Sequence, residues 1–232
     1  MPEERLLRIL RRLSEMSSGG GTRLCDLSVD VTGMSGAGIM LISNNASQGS
    51  VCTTDQVSAL IEDLQYTLGE GPCVDAYRQR EPVLEPDLAG PPTERWLAFT
   101  PPAVEAGVRA VFGFPIQIGA ARLGALNLYR DTPGPLSADQ HADALVLADV
   151  AARAVLTLQA GAPAGELADG LADAGNFRLV VHQASGMISA QLGSDVAEAL
   201  VRLRAYAFAN NRPLTDVAID VVNRRLRFDA GQ

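Results

Sequence analysis

The sequence predicts an α+β chain in two parts: an N-terminal antiparallel sheet with helices covering one side, and a C-terminal all-α unit of three helices. Short apolar runs of strand length alternate with helix-spaced runs up to residue 159. A stretch of glycine, alanine and proline follows at 161–165, and beyond it only helical spacing is found. We therefore expect a first domain at 1–159, a linker at 160–172 and a second domain at 173–232.

The first elements are two helices and a hairpin. Leucines at helical spacing line one side of residues 3–16 and predict an amphipathic helix: Leu6, Leu7, Leu10 and Leu13. A second helix is expected over 22–31. The apolar run 38–43 predicts a buried strand, and 50–54 returns as a second strand of a hairpin.

The rest of the first domain alternates helices with short strands. In chain order we expect a helix at 55–67 (through Val57, Leu60, Ile61 and Leu64), a turn at 69–73 that starts a short helix to residue 79, a strand at 82–85, an irregular segment at 91–106, strands at 110–118 and 122–129, and a helix at 137–159. The last helix opens with a Ser137-x-x-Gln140 capping box.

Three further helices are expected at 173–192, 195–210 and 214–228, with Gly193 ending the first and Asp195 capping the second. One apolar stripe of the middle helix predicts the core of this unit: Val196, Leu200, Leu203 and Ala207. Phe208 is expected in the core, whereas Tyr206 is equally compatible with core and surface.

Charge is unevenly distributed along the chain. Residues 1–175 hold 12 arginines against 22 carboxylates, whereas residues 176–228 hold 7 arginines against 4, a net charge of +3. A basic tail behind an acidic front favours an anionic partner for the tail. Neither a secretory signal nor an apolar run long enough to cross a membrane is found, so we interpret the chain as cytoplasmic.

The three cysteines, Cys25, Cys52 and Cys73, are an odd number at wide spacing with no CxxC pair. This pattern argues against a zinc site and against a disulfide framework. We expect three reduced thiols, and the alternative is a redox or adduct-forming role for Cys52 or Cys73.

No catalytic motif is found: the sequence lacks GxSxG after a strand, a P-loop, HExxH and a dinucleotide fingerprint. We expect neither an enzyme nor a bound cofactor or metal.

Arginines gather in the tail, where guanidinium groups suit phosphate because their donors engage two oxygens at once. Arg204 borders the core stripe, Arg212 lies in the following turn, and three more arginines stand near the end of the third helix: Arg224, Arg225 and Arg227. The helix dipole is an alternative reason for the placement of Arg225 and Arg227. Tyr206 and Phe208 could each offer a ring to an unstacked base.

A set of residues in the tail resembles the ANTAR domain: Gln183-Ala184-Ser185-Gly186-Met187-Ile188, Glu198-Ala199-Leu200, Leu203-Arg204, Ala207, Asn211-Arg212 and Leu214-x-x-Val217-Ala218. The resemblance spans 176–228 and implies a three-helix module that binds paired stem-loops in nascent transcripts and antiterminates transcription. It places RNA contacts at Arg204, Arg212 and Asn211, with Gln183 and Ser185 as second choices. The family usually has a lysine where this chain has Ser185.

The run Asp63-Leu64-Gln65-Tyr66-x-Leu68-Gly69-Glu70-Gly71-Pro72-Cys73, with the strand 124–129 and Trp96, resembles a GAF domain over residues 3–159. This resemblance implies a small-molecule pocket between the sheet and its covering loops. Trp96, Phe99, Glu70 and Cys73 are the pocket candidates, although Trp96 and Phe99 are equally interpretable as a plug for the sheet. No Cys-His pair suited to a bilin and no histidine suited to haem is present in that region.

Together these features predict a homodimer, formed through helices 3–16 and 137–159, whose sensory signal repositions the RNA-binding modules across the linker. Rival interpretations are a DNA-binding sensor, a protein-interaction adaptor, and a redox enzyme of the GAF type that uses cysteine.

Overall fold

The computed structural model describes residues 2–16, 23–43, 46–90, 95–161, 172–210 and 212–229. The chain divides into two compact units, Met1–Leu171 and Ala172–Gln232. The expected linker lies largely outside the described residues, as does Asn211.

The first unit combines six helices and five strands among its described residues. In chain order they are α1 (Pro2–Glu15), α2 (Arg23–Thr32), β1 (Gly36–Ser43), β2 (Ala46–Thr53), α3 (Gln56–Leu68), α4 (Pro72–Gln79), β3 (Val83–Glu85), α5 (Thr100–Glu105), β4 (Ala110–Ile118), β5 (Ala121–Arg130) and α6 (Ala138–Gly161). The strands form one sheet in the order β2-β1-β5-β4-β3, and every neighbouring pair is antiparallel.

Helices cover both faces of this sheet, so the expectation of one covered side was wrong. Because side chains alternate along a strand, Phe112 and Leu128 face α2 and α6, while Val111 and Tyr129 face α3 and α4. The near-continuous apolar strands β4 and β5 are typical of strands buried on both faces.

Cys25 of α2 and Cys52 of β2 form a disulfide, with their Cα atoms 6.1 Å apart. The expectation of three reduced thiols was therefore wrong for this pair. The wide sequence spacing was misleading, because α2 packs over the sheet and brings the two thiols together in the same apolar core.

Helices α1 and α6 pack side by side. Ile9 of α1 is fully buried, and Asp143 of α6 accepts hydrogen bonds from Arg5 and Arg8, each at 2.5 Å. Of the predicted leucine stripe, Leu7 and Leu10 are exposed, because the buried side of α1 runs through Ile9. The predicted capping box of α6 is confirmed: Ser137 N–H donates to Gln140 Oε1, and Gln140 N–H donates to Ser137 Oγ.

The second unit consists of α7 (Ala172–Leu192), α8 (Val196–Ala209) and α9 (Leu214–Val222). Its core holds one buried stripe from each helix: Val181, Ala184 and Ile188 of α7, Ala199, Leu203 and Ala207 of α8, and Leu214, Val217, Ala218 and Val221 of α9. Gly193 ends α7 in a left-handed conformation, and Asp195 caps α8 by accepting a hydrogen bond from the Glu198 N–H.

Two expectations for this unit were wrong. The third helix ends at Val222 rather than at 228, because the N–H groups of Arg225 and Leu226 turn back to the Asp220 carbonyl. Val196 and Phe208 are exposed rather than buried. The buried stripe of α8 runs through Ala199, Leu203 and Ala207, so Phe208 lies on another side of the helix and Val196 lies before the first buried residue.

Candidate functional site

The inward face of α3 is largely polar. Its buried residues follow helical spacing: Ser58, Ile61, Glu62, Gln65 and Tyr66. Three of these side chains are polar, namely Ser58, Glu62 and Gln65. Ser58 completes a capping box with Asp55 and is therefore satisfied locally. Glu62 and Gln65 instead extend towards the sheet. The predicted stripe of Val57, Leu60, Ile61 and Leu64 was right for the buried Ile61 but missed these two polar residues.

Asn127 is flanked by glycines in the three central strands of the sheet, beneath α3 and α4. In the strand register, Asn127 of β5 lies between Gly38 of β1 and Gly113 of β4. A Cβ atom at Gly38 would lie 2.7 Å from Glu62 Oε1, and one at Gly113 would lie 2.5 Å from the Pro72 carbonyl oxygen. The two glycines therefore allow α3 and α4 to approach the sheet on either side of Asn127.

Several buried polar atoms in this region have no hydrogen-bond partner among the described residues. Glu62 is 3% exposed and Asn127 is 0% exposed. Neither Glu62 oxygen, neither side-chain polar atom of Asn127, nor Gln65 Nε2 has a hydrogen-bond partner among the residues that the structure describes. Unpaired buried polar groups are costly, which makes this polar centre (Glu62, Gln65, Asn127 and the adjoining Cys73) the strongest candidate for ligand binding in the first unit.

Burial raises the pKa of the Glu62 carboxyl from its ordinary value of 4.5 to about 8. At neutral pH most of the Glu62 side chain is therefore protonated, and it can both donate and accept a hydrogen bond. Burial, and secondarily the neighbouring Glu62, raise the pKa of the Cys73 thiol well above its ordinary value. A thiol held in this state is a poor nucleophile.

The predicted turn before α4 is present. Gly69 ends α3 with a φ of 67°, and α4 begins at Pro72. At its start, the Cys73 N–H donates to Gln65 Oε1 at 2.7 Å. Cys73 thus lies at the polar centre through its backbone as well as through its buried side chain.

The three further pocket candidates connect the turn before α4, which holds Glu70, with the segment before α5, which holds Trp96 and Phe99. Glu70 Oε1 accepts hydrogen bonds from the Ala98 and Phe99 N–H groups at 2.7 and 2.9 Å. Trp96 donates through Nε1 to Asp75 Oδ2 at 2.9 Å and packs edge-on against Phe99. Both rings are buried in the core beneath α3 and α4, so this arrangement can hold the segment over the sheet.

In the second unit, Asp220 holds two arginines. Arg212 Nη2 lies 2.6 Å from Asp220 Oδ2, and Arg225 Nε lies 2.8 Å from Asp220 Oδ1. The Arg212 guanidinium, followed by that of Arg225, holds the pKa of the Asp220 carboxyl below its ordinary value. One carboxylate thus fixes two guanidinium groups next to each other, and each keeps further N–H donors for an anion.

The other predicted RNA contacts lie in different surroundings. Arg204 is half-buried on α8 and Gln183 is exposed on α7. Ser185 is 1% exposed and donates its hydroxyl to the Val181 carbonyl at 2.9 Å, so it faces the core of the unit rather than its surface.

The two aromatic residues of α8 differ in exposure. Tyr206 is half-buried and packs edge-on against the buried Phe228, with ring centroids 5.3 Å apart. Phe208 is 59% exposed.

Among the described residues, no cluster of three or more His, Cys, Asp or Glu side chains could hold a metal ion. None of the helices in the described part of the chain is both long and apolar enough to cross a membrane.

Comparison with known proteins agrees with these two units. A family model described as GAF domain matches residues 21–156, and one described as ANTAR domain matches residues 169–222. A sheet unit of the first kind followed by a helical unit of the second defines the general class of signal-transduction regulators. The chain belongs to the GAF domain family and carries a C-terminal ANTAR domain, which makes it, in general terms, a signal-sensing antitermination regulator. No curated protein matches it.

Solved structures are similar in fold to the first unit. The GAF domain from a phosphoenolpyruvate-protein phosphotransferase of Coxiella burnetii is 15% identical with a TM-score of 0.52, covering 68% of this chain and 96% of that one. The GAF domain of the corresponding Acinetobacter protein is 15% identical with a TM-score of 0.50, covering 69% and 96%. A type II free methionine-R-sulfoxide reductase from Thermoplasma acidophilum is 16% identical and covers 57% and 86%, but its TM-score of 0.45 is too low to bear on activity.

Proposed function

We propose that this chain is a signal-responsive, RNA-binding transcription antitermination regulator of the cytoplasm. Its first unit receives a small molecule, and its second unit binds the stem-loops of nascent transcripts. The observation that carries the proposal is the arginine pair that Asp220 holds in a three-helix unit matching the ANTAR model.

The RNA-binding surface is proposed to include Arg204, Arg212 and Arg225, with Asn211 and Gln183 nearby in sequence or on the neighbouring helix. Salt bridges to Asp220 limit the side-chain freedom of Arg212 and Arg225, so less conformational entropy is lost when they meet a phosphate. Ser185 supports this surface by packing α7 rather than by touching RNA.

The test is a fluorescence-anisotropy titration of a dual stem-loop RNA against a DNA duplex at two salt concentrations. We expect preferential RNA binding that weakens with salt, because phosphate contacts release counterions. Replacing both Arg204 and Arg212 by alanine should weaken binding, whereas the exposed Arg122 of β5, which lies outside α1, α6 and the second unit, offers a control substitution without effect. Equal affinity for RNA and DNA, or an unaffected double variant, would contradict the proposal.

The signal is proposed to enter at the polar centre, where Glu62, Gln65 and Asn127 offer donors and acceptors to a small polar molecule. Glu70, Trp96 and Phe99 would hold the adjoining segment over it. We expect that a small molecule bound at this centre raises the melting temperature of the wild type but not that of an Asn127→Leu variant. A ligand that stabilises both equally binds elsewhere.

A homodimer is proposed through α1 and α6. Leu7 and Leu10 of α1 are exposed, as are Leu145 and Leu156 of α6, and a groove between the helices is lined by Leu6 and Leu145. Exposed apolar side chains on adjoining helices favour burial against a second copy. Light scattering should give the mass of a dimer, and a Leu7→Glu, Leu10→Glu variant should give that of a monomer.

The disulfide indicates a second candidate for the signal, namely a change in the redox conditions around the protein. In the cytoplasm a disulfide is usually transient, so the Cys25–Cys52 pair would report oxidising conditions. If RNA affinity changes on reduction in the wild type but not in a Cys25→Ser, Cys52→Ser variant, this candidate replaces the small molecule.

A catalytic role is not proposed. Cys73 is buried, and the raised pKa of its thiol disfavours the reactive thiolate.

A further inference from the structure

One exposed aromatic ring stands on the outer face of α8. Val201, Arg204 and Phe208 follow at spacings of three and four residues, so they share one side of the helix. Phe208 is 59% exposed and Val201 is 60% exposed. Core packing therefore does not explain a phenylalanine at this position.

The surroundings of Phe208 are basic. Arg204 lies one turn before it, and Arg212 follows directly after the helix, where its N–H donates to the Ala207 carbonyl at 2.9 Å. An exposed ring with an arginine four residues before it and another four residues after it is suited to a ligand that carries both a flat apolar face and negative charge. An unpaired nucleotide has both properties, because its base can stack while its phosphate meets a guanidinium.

The same face is a poor candidate for a protein partner. Besides Phe208 its exposed apolar residues are Val201 and the small Ala197 and Ala205. A stable protein interface buries roughly 800 Å² on each partner, far more than these four side chains offer.

We propose that Phe208 stacks on an unpaired base of the RNA loop, while Arg204 and Arg212 contact the neighbouring phosphates. This inference rests on the proposed RNA-binding function and adds to it the type of nucleotide that is recognised. Tyr206, the other aromatic candidate on α8, packs against Phe228 and takes no part.

The experiment uses the full chain and a two-hairpin RNA, selected by the wild type from a pool with fixed stems and randomised loops. A second RNA has the same stems and abasic loops. Phe208→Ala should weaken binding to the intact loops about 5- to 150-fold, the range measured for lost base stacking. Phe208→Tyr should restore it, and Val196→Ala, another exposed apolar residue of α8, should leave it unchanged.

On the abasic loops, wild type and Phe208→Ala should bind with equal affinity, because the stacking partner is absent from both complexes. The salt dependence of binding should be the same for Phe208→Ala and wild type, whereas Arg212→Ala should lower its slope by roughly 0.7 to 0.9. These two readouts separate stacking from phosphate contact.

The possible failures are distinguishable. If Phe208→Ala weakens binding to the intact and the abasic loops equally, or changes the mass measured by light scattering, the ring packs on protein and the inference is overturned. If Phe208→Ala binds the intact loops with wild-type affinity while the Arg204 and Arg212 variants bind them more weakly, the inference fails and the RNA-binding function stands. If the wild type shows no preference for RNA over duplex DNA, both fail.

Discussion

Ionisable side chains are usually exposed and aromatic ones usually buried, and each unit contains one exception to this rule. In the sheet unit, the ionisable Glu62 is buried between α3 and Gly38. In the helical unit, the apolar Phe208 stands in solvent. Folding alone favours neither placement, since burying an acid costs free energy and an exposed aromatic ring contributes none of the stabilisation that its burial would give.

Under the function proposed above, this difference shows where each unit would meet its partner. A small molecule must be enclosed, so the sheet unit holds unsatisfied polar groups in its interior. A folded RNA cannot be enclosed by three short helices, so the helical unit presents its binding groups outside. A substitution at the buried site should therefore change the stability of the fold, whereas one at the exposed site should leave it nearly unchanged. Four predictions compare the two units in this way.

The largest effect is expected for the disulfide, which belongs to the sheet unit. Replacing Cys25 and Cys52 by serine should lower the free energy of unfolding of that unit by about 3 to 4 kcal/mol, because a bridge across 27 residues restricts the unfolded chain. Calorimetry with two resolved transitions checks this. Adding a reductant should reproduce the loss in the wild type and change nothing in the double variant; a shift in the helical transition would contradict it.

The next effect is a gain in stability. The folded-state pKa of Glu62, about 8, lies above its unfolded value near 4.5, so the folded protein binds the extra proton between these pH values. Stability therefore falls as pH rises from about 4.5 to 8. Glu62→Gln removes this loss and should raise the free energy of unfolding at pH 7 by up to about 3 kcal/mol.

Urea denaturation of Glu62→Gln and wild type between pH 5 and 8 measures the difference. The exposed Glu105 provides the control, since Glu105→Gln should leave the slope of stability against pH as in the wild type. A wild-type stability that does not fall over this range would show that Glu62 is solvated or paired.

A third prediction compares one glycine in each unit. Gly113→Ala should cost about 1 to 3 kcal/mol, because the new Cβ would lie 2.5 Å from the Pro72 carbonyl oxygen and push α4 away from the sheet. Gly186→Ala should instead stabilise the protein by about 0.5 to 1 kcal/mol. Apart from its chain neighbours and the backbone of its own helix, nothing lies within 4 Å of its Cβ position, and alanine favours a helix. Thermal unfolding of both variants checks the opposite signs.

The smallest effect on stability is expected where the effect on RNA affinity is large. Phe208→Ser should change the free energy of unfolding by no more than about 0.5 kcal/mol, because the side chain is mostly in solvent. Guanidinium denaturation measures this, with Leu203→Ser in the core of α8 as a control that should be strongly destabilising. A large loss for Phe208→Ser would mean that the ring supports the fold.

Most elements could be predicted because their signals are local. The strand at 110–118 was predicted with the bounds that the structure has, since an apolar run ends there at a glycine turn. The capping box of Ser137 and Gln140 likewise depends on residues three apart. The end of α9 was missed because the turn depends on Arg224 in the left-handed conformation. Arginine seldom adopts this conformation, so the sequence does not predict it.

The polar centre could not be predicted because it depends on strand register. Gly38, Asn127 and Gly113 come together only when three strands pair, and a shift of one residue would turn Asn127 to the other face. The one local signal was a polar residue in the middle of the apolar run 124–129. Glu62 was missed for a related reason, since the helix could rotate its apolar side or its polar side inward.

The pairing of α1 with α6 has a consequence for modularity. Arg5 and Asp143 are 138 residues apart in sequence yet lie in direct contact. Helices from the two ends of the described sheet unit are thus in contact, and this arrangement favours insertion or exchange of a domain as a whole. A unit built in this way can be transplanted in front of a different output domain as a single cassette.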